Sequence, residues 1–210
     1  MIRFLPVLCL LSSVLWAPLR ASELPDLGQG LDYLRIHSLV KSGDDLRAAL
    51  ARPAPLVIDL RYTADEPTAA AVLRELNNHP AKPTLYVLVS PATPAAIAEI
   101  LATSPARFVT LGVKDSRPTA RIVVGQTPEA DRAAYDALTS GSSLADLISG
   151  KIEKERFDEA TLVQEFKNGH QAQPPTPPVP AAGTNQPERA IDRVLQRALH
   201  LHRALQALKR

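Results

Sequence analysis

The chain has 210 residues, with 24 Lys and Arg against 22 Asp and Glu, and one cysteine, one methionine and one tryptophan. So even a balance leaves no basic footprint for nucleic acid. A single thiol excludes an internal disulfide framework and a thiolate metal site.

Arg3, the apolar run at 4–16 and the small-residue exit Ala17-Pro18-Leu19-Arg20-Ala21 read as an export signal, residues 1–21, cleaved after Ala21. A periplasmic or secreted location is therefore expected. The run is shorter than the roughly 20 apolar residues of a spanning helix and no later stretch reaches that length, so no transmembrane span is expected. Leu19 and Arg20 make the exit imperfect, which leaves an uncleaved signal anchor as the competing reading. Cys9 lies inside the run without small residues before it, against a lipoprotein site. Cys9, Met1, Trp16, Arg3 and Arg20 all leave with the signal, so the remainder carries 22 basic and 22 acidic residues and is formally neutral.

Residues 22–170 read as one α/β core. The spacing predicts a strand over 31–40 (LDYLRIHSLV), then a short helix capped by Asp44 through Leu46, Ala49 and Leu50. The run LVIDL at 56–60 predicts a strand buried on both faces. Asp65 with Pro67 opens a helix through Val72, Leu73 and Leu76 that closes near Asn77, Asn78 and Pro80. A second buried strand follows at 85–89 (LYVLV). It leads into a helix at 94–103 with Thr93 as N-cap and Pro94 in the first helical position. Strands at 107–113 and 121–125 come next, then a helix from Pro128-Glu129 to Leu138. The chain from Ser142 onward reads as helical, with Phe157 and Asp158 as staple and cap of a helix over Glu159 to Phe166 that Gly169 stops. Strands alternating with helices of this length predict parallel pairing.

Residues 171–187 hold six prolines and no charge, an extended linker. It leads to an amphipathic C-terminal helix at 188–210, with Ile191, Val194, Leu195, Ala198, Leu201, Leu205 and Leu208 at helical spacing.

In order and spacing these pieces resemble the core of the tail-specific (C-terminal processing) serine peptidases. Asp32 to Leu39 (DYLRIHSL) is similar to the family's opening strand, and Asp59-Leu60-Arg61 matches its D-L-R segment. Pro94-Ala95-Ala96-Ile97-Ala98-Glu99-Ile100 keeps the texture of its nucleophile segment. Val123-Val124-Gly125-Gln126-Thr127 resembles its later strand exit, and Asp192 to Leu199 its terminal helix. The resemblance covers about 31–137 and 188–208. It implies a crotonase-like core of strand–helix repeats with the terminal helix folded back on it.

The departures fall on the chemistry. The nucleophile position corresponds to Ala96, and the base position falls at Glu129 or Ala130. Asp65-Glu66 stand where glycines would supply an oxyanion donor. Acyl transfer needs all three parts. No room remains for the family's peptide-binding insertion.

Other candidates are read from the residues themselves. His37 and Ser38 are strand neighbours, so they point to opposite faces and do not meet. Ser90, at the end of the central strand, is a candidate displaced nucleophile, with Lys82 or Lys114 as base; its plainer reading is a turn residue. Asp59 and Arg61 share a face and predict a structural ion pair or a backbone clamp rather than catalysis, and Glu99 a structural acceptor. His200 and His202, two apart on a helix, do not share a face, and Asp158-Glu159 read as helix N-terminal charges. No metal and no cofactor are expected. The C-terminal helix has three readings: packed on its own core, docked on a partner or a second copy, or laid on an anionic membrane.

The function expected is that of an exported, non-catalytic relative acting as a peptide- or protein-binding scaffold. Asp59, Arg61, Thr93, Ala95, Ala96 and Glu99 are its candidate binding residues. The alternative is a serine hydrolase with Ser90 or Ser38 as displaced nucleophile. A weaker third class, suggested by LVIDLR, is an anti-sigma-antagonist-like or rhodanese-like module. The export signal argues against the first and the missing cysteine against the second.

Overall fold

The dense apolar runs form the centre of a five-stranded parallel sheet whose spatial order follows the chain, β1 to β5. The computed structural model describes residues 24–78, 84–103, 108–149 and 190–209. The strands are β1 (Asp32–Arg35), β2 (Leu56–Asp59), β3 (Leu85–Val89), β4 (Val109–Gly112) and β5 (Ile122–Val123). The helices are α1 (Gly43–Ala51), α2 (Ala69–Asn78), α3 (Ala95–Thr103), α4 (Pro128–Thr139), α5 (Leu144–Ile148) and α6 (Arg193–Leu208). The export signal, the helix expected over 157–169, Asp158-Glu159, the 171–187 linker and Lys82 lie outside the described residues.

Each strand of a parallel sheet is covered on both faces, and the two-residue alternation of side chains feeds two separate cores. Leu56 and Ile58 of β2, with Leu85, Val87 and Val89 of β3, pack against α1, α2 and α3 through Leu46, Leu73 and Ile97. Val57 of β2, with Tyr86 and Leu88 of β3 and Leu111 of β4, packs against Val194, Leu195, Ala198 and Leu199 of α6. Successive right-handed crossovers in a sheet ordered by chain put α1, α2 and α3 on one face. The opposite face is left for α4, α5 and α6. The C-terminal helix therefore packs on its own core, the first of its three readings. Among the described residues no helix is long and apolar enough to cross a membrane.

The structure trims several expected elements. The first strand stops at Arg35, because Ile36 N still bonds Asp59 O but the chain then turns through Ser38, whose carbonyl accepts from Ser42 N. Ser42, not Asp44, precedes α1; Asp44 and Asp45 lie in its first turn, where carboxylates favour the dipole. The second helix starts at Ala69 rather than at Asp65. Strands 107–113 and 121–125 shorten to β4 and β5. The last helix starts at Arg193, capped by Asp192, whose carboxylate accepts from Leu195 N at 2.8 Å.

Thr93 does not cap α3. Its hydroxyl oxygen accepts from Ser90 N at 2.9 Å and donates toward the carbonyls of Leu60 and Arg61, while Pro94 O takes the first helical bond, from Ala98 N. The hydroxyl thus joins the β3 exit to the β2 exit. Gly112 lets β4 run close to β3: a Cβ there would sit 2.5 Å from both Val89 O and Ser116 Oγ.

Candidate functional site

At the carboxyl end of the strands, beneath α4 and α6, lies a buried charge cluster centred on Arg61. The alternation that points Val57 toward α6 points Asp59 there as well. The guanidinium of Arg61 uses all five of its N–H donors. Nε and Nη2 hold Asp59 in a two-pronged pair at 3.0 and 2.7 Å. Nη1 donates to Asp131 at 2.7 Å and to Asp192 at 3.1 Å, and Nη2 to Asp192 at 2.7 Å. Tyr33 OH donates to Asp59 at 2.9 Å, and Tyr62 OH to Asp131 at 2.8 Å. Arg61 is 1 % exposed, Asp59 and Asp131 0 %, and Asp192 1 %. One residue from β2's exit thereby ties down the first turn of α4 and the cap of α6.

Beside this one cation, Asp59 and Asp131 are shifted in opposite directions. Burial pushes the Asp59 carboxyl up, but the Arg61 charge and the bonds from Arg61 and Tyr33 outweigh it and hold it below its ordinary value. Burial also pushes Asp131 up, and with Asp192 adding to it the pull of Arg61 does not compensate, so Asp131 is raised. Burial disfavours the Arg61 cation, yet Asp192 and Asp59 raise its pKa well beyond the usual value, so it stays charged.

The two aspartates therefore push stability in opposite directions with pH. The contribution of Asp59 is present above the ordinary carboxylate pKa and lost as pH falls through its depressed folded value. That of Asp131 is fully present below the ordinary pKa and lost as pH rises through its raised folded value. Asp131→Asn is expected to gain stability relative to wild type as pH rises toward neutrality, and Asp59→Asn to lose it. Urea midpoints of the three proteins across pH check this; an Asp131→Asn difference that is the same at every pH would contradict it.

A half-buried aromatic group adjoins the cluster. Arg35 lies over the Tyr135 ring at 3.6 Å and donates to Tyr135 O at 2.8 Å. Tyr62 meets Tyr135 edge-on at 4.7 Å between centroids. His37 Nδ1 lies 3.1 Å from Tyr135 OH. Burial and the nearby Arg35 lower the His37 pKa. Ser38 lies in the turn after β1 rather than on a strand beside His37, and its hydroxyl donates to Glu66 at 2.6 Å.

The six candidate binding residues separate. Asp59, Arg61 and Thr93 are enclosed in the core, the first two as the ion pair their spacing predicts. Ala95, Ala96 and Glu99 are exposed on α3, and Ala96 and Glu99 line a groove of about 270 Å³ against Ala70 and Arg74 of α2. Ala130, the base position in the resemblance, lines a different groove of about 480 Å³ with Gly125, Gln126 and Ile191, and the two grooves share no residue. Ser90 is 0 % exposed, and its hydroxyl donates to Arg61 O and accepts from Ala92 N at 3.2 Å, which makes it a turn residue. Lys114 is exposed on the loop after β4. His202 is buried against Tyr86, and His200 is half-exposed on another face of α6.

Asp131 and Asp192 were not predicted as partners of Arg61, nor Tyr33 and Tyr62 as partners of its carboxylates, nor Tyr135 beside it. A signal existed for Asp131: it lies three and four residues before Ala134 and Tyr135, on the apolar stripe of α4, where an unpaired carboxylate is costly. Asp192, directly ahead of an amphipathic helix, had the position of an N-cap.

Comparison with known protein families finds no match, and no curated protein matches the chain.

Proposed function

We propose that the protein is an exported, non-catalytic relative of the tail-specific serine peptidases, with a crotonase-like core, that binds an extended segment of another protein. The observation that carries this reading is the state of the hydroxyls at the sheet's carboxyl end. Acyl transfer needs an accessible nucleophile beside a base. The α3 entrance offers Ala95 and Ala96, with no hydroxyl. Ser90, the nearest serine, is sealed and spends its proton on a main-chain carbonyl. Ser38 is half-exposed and donates to Glu66, but that bond and the Val40 amide hold the Glu66 carboxyl below its ordinary value, so it is a poor base for the serine. A sheet ordered by chain, with its first three helices on one face, agrees with a crotonase-like coil, and the ordered sequence motifs and the export signal support the remainder. Open grooves on both helical layers offer surface for binding rather than an enclosed reaction chamber.

Purified protein is expected to leave unstructured peptide tails intact. Ala96→Ser alone, and Ala96→Ser with Ala130→Lys, are expected to stay inactive. The two positions line separate grooves, and a hydroxyl without a base within reach recovers little of the 10²–10⁴-fold each part is roughly worth. Mass spectrometry of the incubated peptides reads the result. Cleavage by wild type that a serine-reactive inhibitor abolishes would overturn the reading in favour of a displaced nucleophile.

A further inference from the structure

We propose that the groove between the edge of β5 and the first turns of α6 takes an extended, acidic peptide segment of another protein as an added strand; this rests on the binding reading above and gives it a site and a ligand class.

β5 is the last strand of the sheet, only two residues long, and Val123 is 58 % exposed. Val123 pairs with Gly112, and Val124 N donates to Gly112 O at 2.8 Å. In a parallel ladder that alternation turns the N–H and C=O of Val123 away from β4, toward the groove side. Such an outward pair is what an incoming strand bonds to, and alternate side chains then read the surface alongside.

The surface alongside is cationic. Val123 and Gly125 form one wall of the groove, and Arg193, Gln196, Arg197 and His200 the other. Arg193 is held at the rim by its bond to Gly125 O at 3.2 Å. On two other helices an arginine meets a carboxylate of its own helix: Arg47 meets Asp44, and Arg132 meets Asp136. Helix α6 contains no acidic residue, and Asp192 just ahead of it is committed to Arg61. Among the described residues no side chain lining the groove is acidic, so Arg193 and Arg197 are left to complement carboxylates of a ligand. A chain with a formal net charge of only +2 and two groove arginines is too weakly charged for phosphate-backbone binding, and the outward amide pair selects a peptide over a lipid surface.

The test uses fluorescently labelled peptides that alternate valine with glutamate, glutamine or lysine, titrated against the purified protein by anisotropy. The glutamate peptide is expected to bind at least about tenfold tighter than the glutamine peptide, the scale of one charge-assisted hydrogen bond, and the lysine peptide more weakly than either. Arg197→Glu is expected to abolish the preference for glutamate and Arg197→Lys to keep most of it. Val123→Pro removes an outward N–H without taking a bond from the ladder and is expected to weaken all three peptides. Circular dichroism confirms that each variant is folded, and Arg197, being exposed, keeps the test open if Val123→Pro is not. Equal binding of glutamate and glutamine peptides, or binding untouched by Arg197→Glu, would overturn the groove assignment while leaving a binding function in place. No binding of any peptide would overturn both. Binding to anionic vesicles or duplex DNA in place of peptide, or self-association lost in Arg197→Glu, would also overturn the proposal.

Discussion

Arg61→Met is expected to leave the protein unfolded under conditions in which wild type is native. The substitution keeps much of the side-chain volume but removes five hydrogen bonds and the only cation facing Asp59, Asp131 and Asp192 in the cluster. Removing one partner of a buried pair costs about 3–5 kcal/mol, and among the described residues three enclosed carboxylates lose their cation together. Single domains are stable by only about 5–15 kcal/mol, so the loss is comparable to the whole. Arg61→Lys is expected to fall between, because an ammonium is a point charge and cannot reproduce the planar fork that engages Asp59 and Asp192 at once. Far-UV circular dichroism and urea midpoints read the outcome. An Arg61→Met protein whose urea midpoint stays near that of wild type would contradict it.

Deleting residues 191–210 is the second change expected to be drastic. Those residues cover the face of the sheet that carries Tyr33, Val57, Tyr86, Leu88 and Leu111. Val194, Leu195 and Leu199 are each at most 2 % exposed, and at about 1.5–3 kcal/mol for each buried side chain they amount to roughly 5–9 kcal/mol. The deletion also takes Asp192 from Arg61, along with the bond from Asp192 N to Leu147 O at 3.0 Å that holds α5. The truncated chain is expected to lose cooperative unfolding and to bind a hydrophobic dye. Leu195→Ala gives a graded version of the same test, with an expected cost of about 2–5 kcal/mol. Cooperative, wild-type-like unfolding of the truncated chain would mean that α6 is not part of the core.

The sheet was legible because its signal is local. Leu56, Val57, Ile58 and Leu85 to Val89 are continuous β-branched and apolar runs, and the helical stretches between them leave parallel pairing as the outcome. The two-residue spacing of Asp59 and Arg61 gave their pairing for the same reason. Element ends were harder, because they depend on contacts made from outside the element. Thr93 has the composition of a cap, yet its hydroxyl is drawn to Ser90 N and the β2 exit, bonds fixed only once β2 and β3 lie side by side. The rest of the Arg61 cluster joins residues 70 and 131 positions apart in the chain, beyond the reach of any periodicity. The cationic groove was hidden differently: Arg193 and Arg197 read as an ordinary polar helix face until β5 is placed beside them.

The claim that this fold binds without catalysing is met most directly by labelling purified protein with a fluorophosphonate probe, which reacts with an activated serine wherever it lies in the chain. With Ser90 sealed and Ser38 held by Glu66, no labelling above that of a heat-denatured control is expected. Labelling of the native protein that disappears in Ser90→Ala would contradict the account and establish a serine hydrolase.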